Sequence, residues 1–295
     1  MTATVNLLYS IIGSLGLSTN GFAIFILLRL KNRFNSPNIL ILNQCIIDCM
    51  ASLFSICQFV DVSLGDSLWK SKIKAWLYCC LWFNHYIFWS CIFASTANLA
   101  VLTMDRYCSV IYPLKYSAKK NNKWIKVALM LFPWICGPLA VSYWIMVHRV
   151  GDRECIVEWS NINAQRASGV FTFLYMEIAP VTLMAFVYYK IFQSLKSRVG
   201  ESSAIGNANS AARRLNVIKT MALVSIIYAI CWTPNQIVFF YYLLGGDLDL
   251  DGIMYYGTIA LSLLNSVVNP IIYTFKYKDF QEGLRKTLSC LFNRS

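Results

Sequence analysis

The chain has 295 residues, of which 57% are hydrophobic and only 14% charged, with a mean hydropathy of +0.52. That balance excludes a disordered chain and an ordinary water-soluble domain, where about 25% of residues are charged. The formal charge of +12 does not point to nucleic acid, because the basic residues lie between apolar runs, and the 11 Cys sit mostly inside those runs rather than in a small disulfide scaffold.

A bilayer core requires about 20 mainly apolar helical residues. Seven such runs follow in chain order: Leu7–Leu30, Asn38–Val60, Tyr78–Val110, Trp124–Val147, Gly169–Leu195, Leu215–Leu244 and Gly252–Phe275. The prolines within them (Pro133, Pro138, Pro180, Pro234, Pro270) are compatible with membrane helices, whose neighbours re-satisfy the freed carbonyls. Residues 1–275 therefore read as a seven-transmembrane helix bundle, an all-α membrane protein. Residues 276–295 read as an amphipathic surface helix with a short tail, because Phe280, Leu284 and Leu288 recur every four residues among basic ones. Cys290 in that tail is a candidate for lipidation by a palmitoyl chain.

Lys and Arg set the orientation. They crowd the connections after the first, third and fifth runs and the tail: Arg29, Lys31 and Arg33, then Lys115, Lys119, Lys120, Lys123 and Lys126, then Lys190, Lys196, Arg198, Arg213 and Arg214, then Lys276, Lys278, Arg285 and Lys286. The opposite side holds only Lys70, Lys72, Lys74, Arg149, Arg153 and Arg166. The expectation is a multi-pass protein with its N-terminus extracellular and its C-terminus cytosolic. No basic leader precedes Arg29, so the first run is not read as a signal peptide.

Ionisable groups inside spans are costly and mark function. Asp48 lies in the middle of the second run, Asp105 and Arg106 near the cytosolic end of the third, and Glu177 in the outer half of the fifth. Neutral polar residues accompany them: Asn20, Ser95, Asn98, Asn265, Ser266 and Asn269.

Ordered landmarks run through all seven spans. They are Asn20, Asp48, Asp105-Arg106-Tyr107, Trp134, Pro180, Cys231-Trp232-Thr233-Pro234 and Asn269-Pro270-Ile271-Ile272-Tyr273. By this set the chain resembles the rhodopsin-like (class A) G-protein-coupled receptors. The resemblance implies a signalling receptor of the plasma membrane, without catalytic residues, whose partners are an extracellular ligand, a heterotrimeric G protein, arrestin and membrane lipid. It implies an activation switch of Asp105, Arg106, Tyr107, Tyr188, Trp232, Pro234, Asn269, Pro270 and Tyr273. It also implies an allosteric sodium ion, and no other cofactor, at Asp48, Ser95, Asn265, Ser266 and Asn269. Finally it implies a disulfide between Cys155 and the outer end of the third span. Cys80 stands one residue further from Arg106 than the family's spacing and Cys79 two residues further, so Cys80 is the nearer choice and Cys79 its rival.

The ligand is read by elimination. The family's retinal lysine position is Leu263, and its amine-binding aspartate position is Phe88. Acidic loop residues (Asp61, Asp66, Asp152, Glu154, Glu158, Asp247, Asp249, Asp251) surround an aromatic cluster, which suits a basic or amidated peptide. The stretch Cys231–Tyr242 is similar to peptide receptors of the galanin and allatostatin kind. The candidate ligand-binding residues are Asp61, His85, Phe88, Trp89, Glu177, Trp232, Asn235, Gln236, Phe239 and Tyr255. An amine, a lipid or another small molecule is the alternative ligand. A transporter or channel is the remote alternative function, since only Asp48 is central among the charges.

Overall fold

A computed structural model describes residues 2–57, 69–83, 85–119, 122–152, 154–199, 208–249 and 252–292. Among the described residues, seven helices are long and apolar enough to cross a membrane: Thr4–Leu28, Ser36–Cys57, Tyr86–Ile111, Lys123–Met146, Ile162–Lys196, Leu215–Leu243 and Ile253–Lys276. The chain runs α1 (Thr2–Leu28), α2 (Ser36–Cys57), α3 (Lys72–Leu77) with a π-helical turn Tyr78–Phe83, then α4 (Tyr86–Ile111), α5 (Pro113–Lys119), α6 (Lys123–Val141) and α7 (Tyr143–Met146). A two-stranded hairpin follows, β1 (His148–Val150) with β2 (Cys155–Val157). The remaining elements are α8 (Ile162–Phe173), a second π-helical turn Leu174–Ile178, α9 (Ala179–Val199), α10 (Ala208–Leu243), α11 (Ile253–Lys276) and α12 (Lys278–Phe292).

The bundle is built inside out relative to a soluble protein. Leu15, Phe22, Phe25, Phe132, Ile135, Phe186, Ile226 and Ile230 are exposed on the outward faces, whereas Asn20, Asp48, Asn98 and Asn269 are fully buried. Lipid accepts the first set, and the helices share the second set among themselves. The third span is the central one: 72% of its apolar window is buried, against 22% for the fourth. It packs on α2, α6 and α9, while α1 packs on α2 and α11, and α10 on α11 and α8. Gly137 permits the close approach of α6 to α4, since a Cβ there would meet the Ser90 carbonyl oxygen at 2.3 Å.

Prolines release carbonyls that other helices then satisfy. Pro180 has no N–H for the carbonyl four residues back, and the Met176 carbonyl accepts from the Tyr228 hydroxyl on α10. Pro270 does the same to Ser266, whose carbonyl accepts from Asn20 Nδ2 on α1 at 2.9 Å.

The third span departs from expectation. The apolar run from Tyr78 predicts one continuous helix, but His85 adopts φ 52°, a left-handed conformation, and the membrane helix begins at Tyr86. The run's mean hydropathy does not register this break, although the polar pair Asn84-His85 interrupts its apolar and aromatic residues. The fifth span begins at Ile162, earlier than predicted, where the Asn161 side chain accepts from the Ala164 N–H at 2.9 Å and starts the helix. The surface helix α12 forms as predicted from the four-residue recurrence. Tyr277 at its start and Phe280 are fully buried against the bundle, and Leu284 packs on the core.

The disulfide corrects the Cys80 expectation. Cys79 bonds to Cys155, with Cα atoms 5.4 Å apart. The π-helical turn and the left-handed His85 take up the two residues by which Cys79 exceeds the family's spacing, and they aim Cys79 at β2. Cys80 is free and buried, with its Sγ 3.9 Å from the Ile145 carbonyl oxygen. Cys155 pairs with Val150 across the hairpin, so the bond ties β1 and β2 to the start of the third span.

Candidate functional site: an aromatic cavity, a buried polar network and an arginine clamp

At the disulfide end, a cavity of about 100 Å³ is lined by Trp89, Phe93, Tyr143, Trp144, Thr172, Asn235, Gln236, Phe239 and Tyr255. Its walls are stacked rings: Trp144 on Phe239 at 6.2 Å, and Phe239 on Tyr255 at 6.5 Å between centroids. Asn235 Nδ2 donates to Thr258 Oγ1 at 3.2 Å, which fixes its side chain from α11. None of the lining residues carries a charge.

Five of the predicted ligand-binding residues meet here: Trp89, Asn235, Gln236, Phe239 and Tyr255. Trp232 lies deeper on the same helix, 2% exposed, with its ring 6.3 Å from Tyr228. His85 and Phe88 do not reach the cavity. They line a separate crevice with Phe54, Leu81, Trp82 and Ile87, because the break before Tyr86 turns this end of the span towards α2. Burial pushes the His85 imidazole down to about 4, so it is neutral at physiological pH. Glu177 is also absent from the cavity wall. It is buried in the second π-helical turn, where its Oε1 accepts from Thr233 Oγ1 at 2.5 Å. Asp61 lies outside the described residues, as do Asp66 and Asp251. At the rim, Glu158 pairs with Arg149 at 3.0 Å, both well exposed.

In the middle of the bundle, a polar network crosses four helices, α2, α4, α6 and α11. Trp134 Nε1 on α6 donates to Asn43 Oδ1 at 3.0 Å, and Asn43 Nδ2 donates to Asn98 Oδ1 at 2.9 Å. Asn98 Nδ2 donates to Gln44 Oε1 at 2.8 Å, and Gln44 Nε2 lies 3.1 Å from both carboxylate oxygens of Asp48. Ser95 donates to Asp48 Oδ1 at 2.8 Å, and Asn269 Nδ2 to Asp48 Oδ2 at 3.1 Å. Asp48 has no ion-pair partner among the described residues. Asn265 Oδ1 and Asn269 Oδ1 are buried acceptors without a donor among the described residues. A carboxylate, a hydroxyl and two unpaired amide oxygens form the hard-oxygen set that a sodium ion takes, so the residues fit such an ion. Ser266 contributes its carbonyl to Asn20 instead.

A second polar link joins α4 to α10. Thr96 Oγ1 and the Tyr228 hydroxyl are 3.1 Å apart, and Tyr228 also reaches Met176. Thus one phenol bridges the central span, the second π-helical turn and α10.

At the opposite end, Arg106 pairs with Asp105, and both are buried. Ser36 Oγ and the Tyr116 hydroxyl donate to Asp105 Oδ1 at 2.6 and 3.0 Å, so α2 and α5 hold the acid that holds the arginine. Burial beside Asp105 raises the Tyr116 phenol above its usual range, and it stays protonated and donating. Tyr107 packs edge-on against Tyr112 at 6.0 Å. Tyr188 and Tyr273 are buried, and the Tyr273 hydroxyl has no hydrogen-bond partner among the described residues. Thr220 Oγ1 donates to the Lys276 carbonyl at 3.2 Å, and the Lys278 N–H to Asn216 Oδ1 at 3.1 Å, which ties α10 to the junction of α11 and α12. Pro234 and Pro270 lie within α10 and α11, as predicted. The side chain of Cys290 lies outside the described residues.

Sequence reasoning missed Phe93, Tyr143, Trp144 and Thr172. Tyr143 and Trp144 sit in the short helix α7 at the end of the fourth span, where an aromatic pair reads as an interfacial belt. It also missed the reach of Gln44.

The pattern of the family described as 7 transmembrane receptor (rhodopsin family) matches residues 19–273. Galanin receptor 2b of Danio rerio is 25% identical over 98% of this chain and 76% of its own length. Galanin receptor type 1 of Rattus norvegicus is 25% identical over 96% of this chain and 81% of its own. The Histamine H2 receptor of Homo sapiens is 26% identical over 68% of this chain and 58% of its own.

Proposed function

This chain belongs to the rhodopsin family of 7 transmembrane receptors, and we propose that it recognises an extracellular peptide and passes that event to a heterotrimeric G protein. It is a receptor, not an enzyme. The disulfide end faces outward and the Arg106 end faces the cytosol of the plasma membrane. Loop lysines and arginines support that orientation, because most of them lie at the Arg106 end.

The observation that carries the peptide reading is the cavity's size and neutrality. Small-molecule sites run to roughly 300–1,000 Å³. A cavity of about 100 Å³ walled by rings suits one side chain or an end of a longer ligand, with the remainder lying over the hairpin. The galanin relatives support a peptide. An amine is disfavoured because no lining residue is a carboxylate and Phe88 stands where amine receptors have one.

Release of Arg106 from Asp105 follows from movement of α10, as the family's switch implies. A peptide-library screen with a promiscuous G-protein reporter tests the ligand class. In the responding system, Arg106→Ala should reduce signalling to background while peptide binding at the cell surface persists. A receptor that answers only amines, or that signals normally with Arg106→Ala, overturns the reading.

A sodium ion is part of the same proposal. Asp48, Ser95, Asn265 and Asn269 would hold it, without the Ser266 carbonyl that Asn20 occupies, and its charge would offset that of the buried carboxylate. Purified receptor should then unfold at higher temperature in sodium chloride than in choline chloride, and Asp48→Asn should remove the difference. Equal midpoints in the two salts refute the ion.

A further inference from the structure

A further cavity lies away from both the ring-walled cavity and the sodium-type site. It is a groove of about 660 Å³ between α4, α5 and α6 at the Arg106 end. Its floor is apolar, formed by Val101, Met104, Leu129 and Phe132, and Phe132 at 51% exposure opens it to the lipid side. Three lysines, Lys115, Lys119 and Lys126, complete the lining. The one acid that reaches it, Asp105, is already paired with Arg106. Among the described residues none of the three lysines forms an ion pair with an acid. Lys126 donates to the Phe34 carbonyl at 2.9 Å, and Lys115 stands 5.8 Å from the Tyr112 ring.

We propose that this groove is a binding site for an anionic phospholipid. One acyl chain lies against Met104, Leu129 and Phe132, and the phosphate headgroup sits among Lys115, Lys119 and Lys126. Charge complementarity selects the occupant: a cationic mouth with no free acid rejects cations and gains little from a zwitterion, while an apolar floor open to the bilayer gives a free phosphate no reason to enter. The volume falls in the range of ligand clefts. Ser36 and Tyr116 also line the groove, and both hold Asp105. A lipid seated there touches the clamp on Arg106 directly, so its presence biases the switch from the bilayer rather than from the ligand cavity.

The test uses the full-length receptor purified in detergent and titrated with a phosphatidylinositol bisphosphate against phosphatidylcholine, with bound lipid counted by native mass spectrometry. The wild-type chain should retain the anionic lipid in preference. Lys115→Gln, Lys119→Gln and Lys126→Gln should each weaken it roughly fivefold, the worth of one basic residue at an anionic surface. Met104→Trp fills the groove without altering charge and should also weaken it. Lys278→Gln with Lys286→Gln on α12 should not. Soluble inositol trisphosphate should compete poorly; strong competition would mean a phosphate site and not a lipid site. Unchanged binding in the lysine variants, or loss only in the α12 pair, overturns the proposal. All lysines are exposed or half-buried, so these variants decide the matter even where Met104→Trp does not fold.

Discussion

The polar network around Asp48 and the aromatic cavity near the disulfide divide the molecule's labours. In the network, side chains bond chiefly to one another, from Trp134 through Asn43, Asn98 and Gln44 to Asp48 and Asn269. In the cavity, rings stack, and Asn235 alone among the lining amides bonds to a described neighbour, Thr258. Interhelical hydrogen bonds in lipid fix helix positions, because a broken one leaves polar groups without water. Stacked rings around a void do the reverse: they leave surface for a ligand to complete. Stability therefore concentrates in the first region and recognition in the second.

The sharpest way to break this contrast is Asn98→Ala. It strips partners from Asn43, Gln44 and the Leu40 carbonyl together, and it should cost about 3 kcal/mol, within the range for buried groups left unpaired. Thermal unfolding in detergent reads it, and a midpoint within a degree or so of wild type would sink the contrast. Next comes Phe239→Ala in the cavity. It should cut peptide affinity by tenfold or more, as aromatic anchors do, with a smaller fall in the unfolding midpoint than Asn98→Ala. Equal losses of stability in the two variants would show that the division does not exist.

Tyr228→Phe sharpens the boundary between the regions. It removes one hydroxyl that serves both Thr96 and Met176, at a cost of about 1–2 kcal/mol. Its effect should appear as raised agonist-free signalling, measured as second messenger per receptor at the surface. The smallest effect concerns His85. Its folded value, about 4, lies below the ordinary 6.5. A depressed imidazole contributes stability that is present above pH 6.5 and is lost as pH falls towards 4. Unfolding midpoints should drop across that window in wild type and less so in His85→Gln; parallel pH profiles would discount the crevice around Phe54 and Trp82.

Most of the bundle was legible because bilayer thickness dictates helix length and the hydrophobic runs obey it. The clamp and the network were legible as landmarks: charges that lipid would not tolerate alone, at Asp48, Asp105 and Arg106. What escaped was local. One polar pair, Asn84-His85, barely lowers the mean hydropathy of a long apolar run, so the third span looked continuous, and the cysteine that faces β2 could not be chosen from spacing by one residue. Trp144 and Tyr143 escaped because an aromatic at a helix end looks the same whether it meets headgroups or a ligand. Gln44 escaped because nothing in one dimension says that its amide spans Asn98, Ser95 and Asp48.

The bond from Tyr228 to the carbonyl that Pro180 frees has a consequence for how α10 can turn. A small rotation takes the phenol out of reach of Met176 before any replacement donor arrives, and in hydrocarbon no solvent fills the gap. Half-turned positions are thus the costliest of all. The helix is driven to occupy one seat or another, and a graded stimulus outside becomes a change in how often it jumps, not in how far it leans.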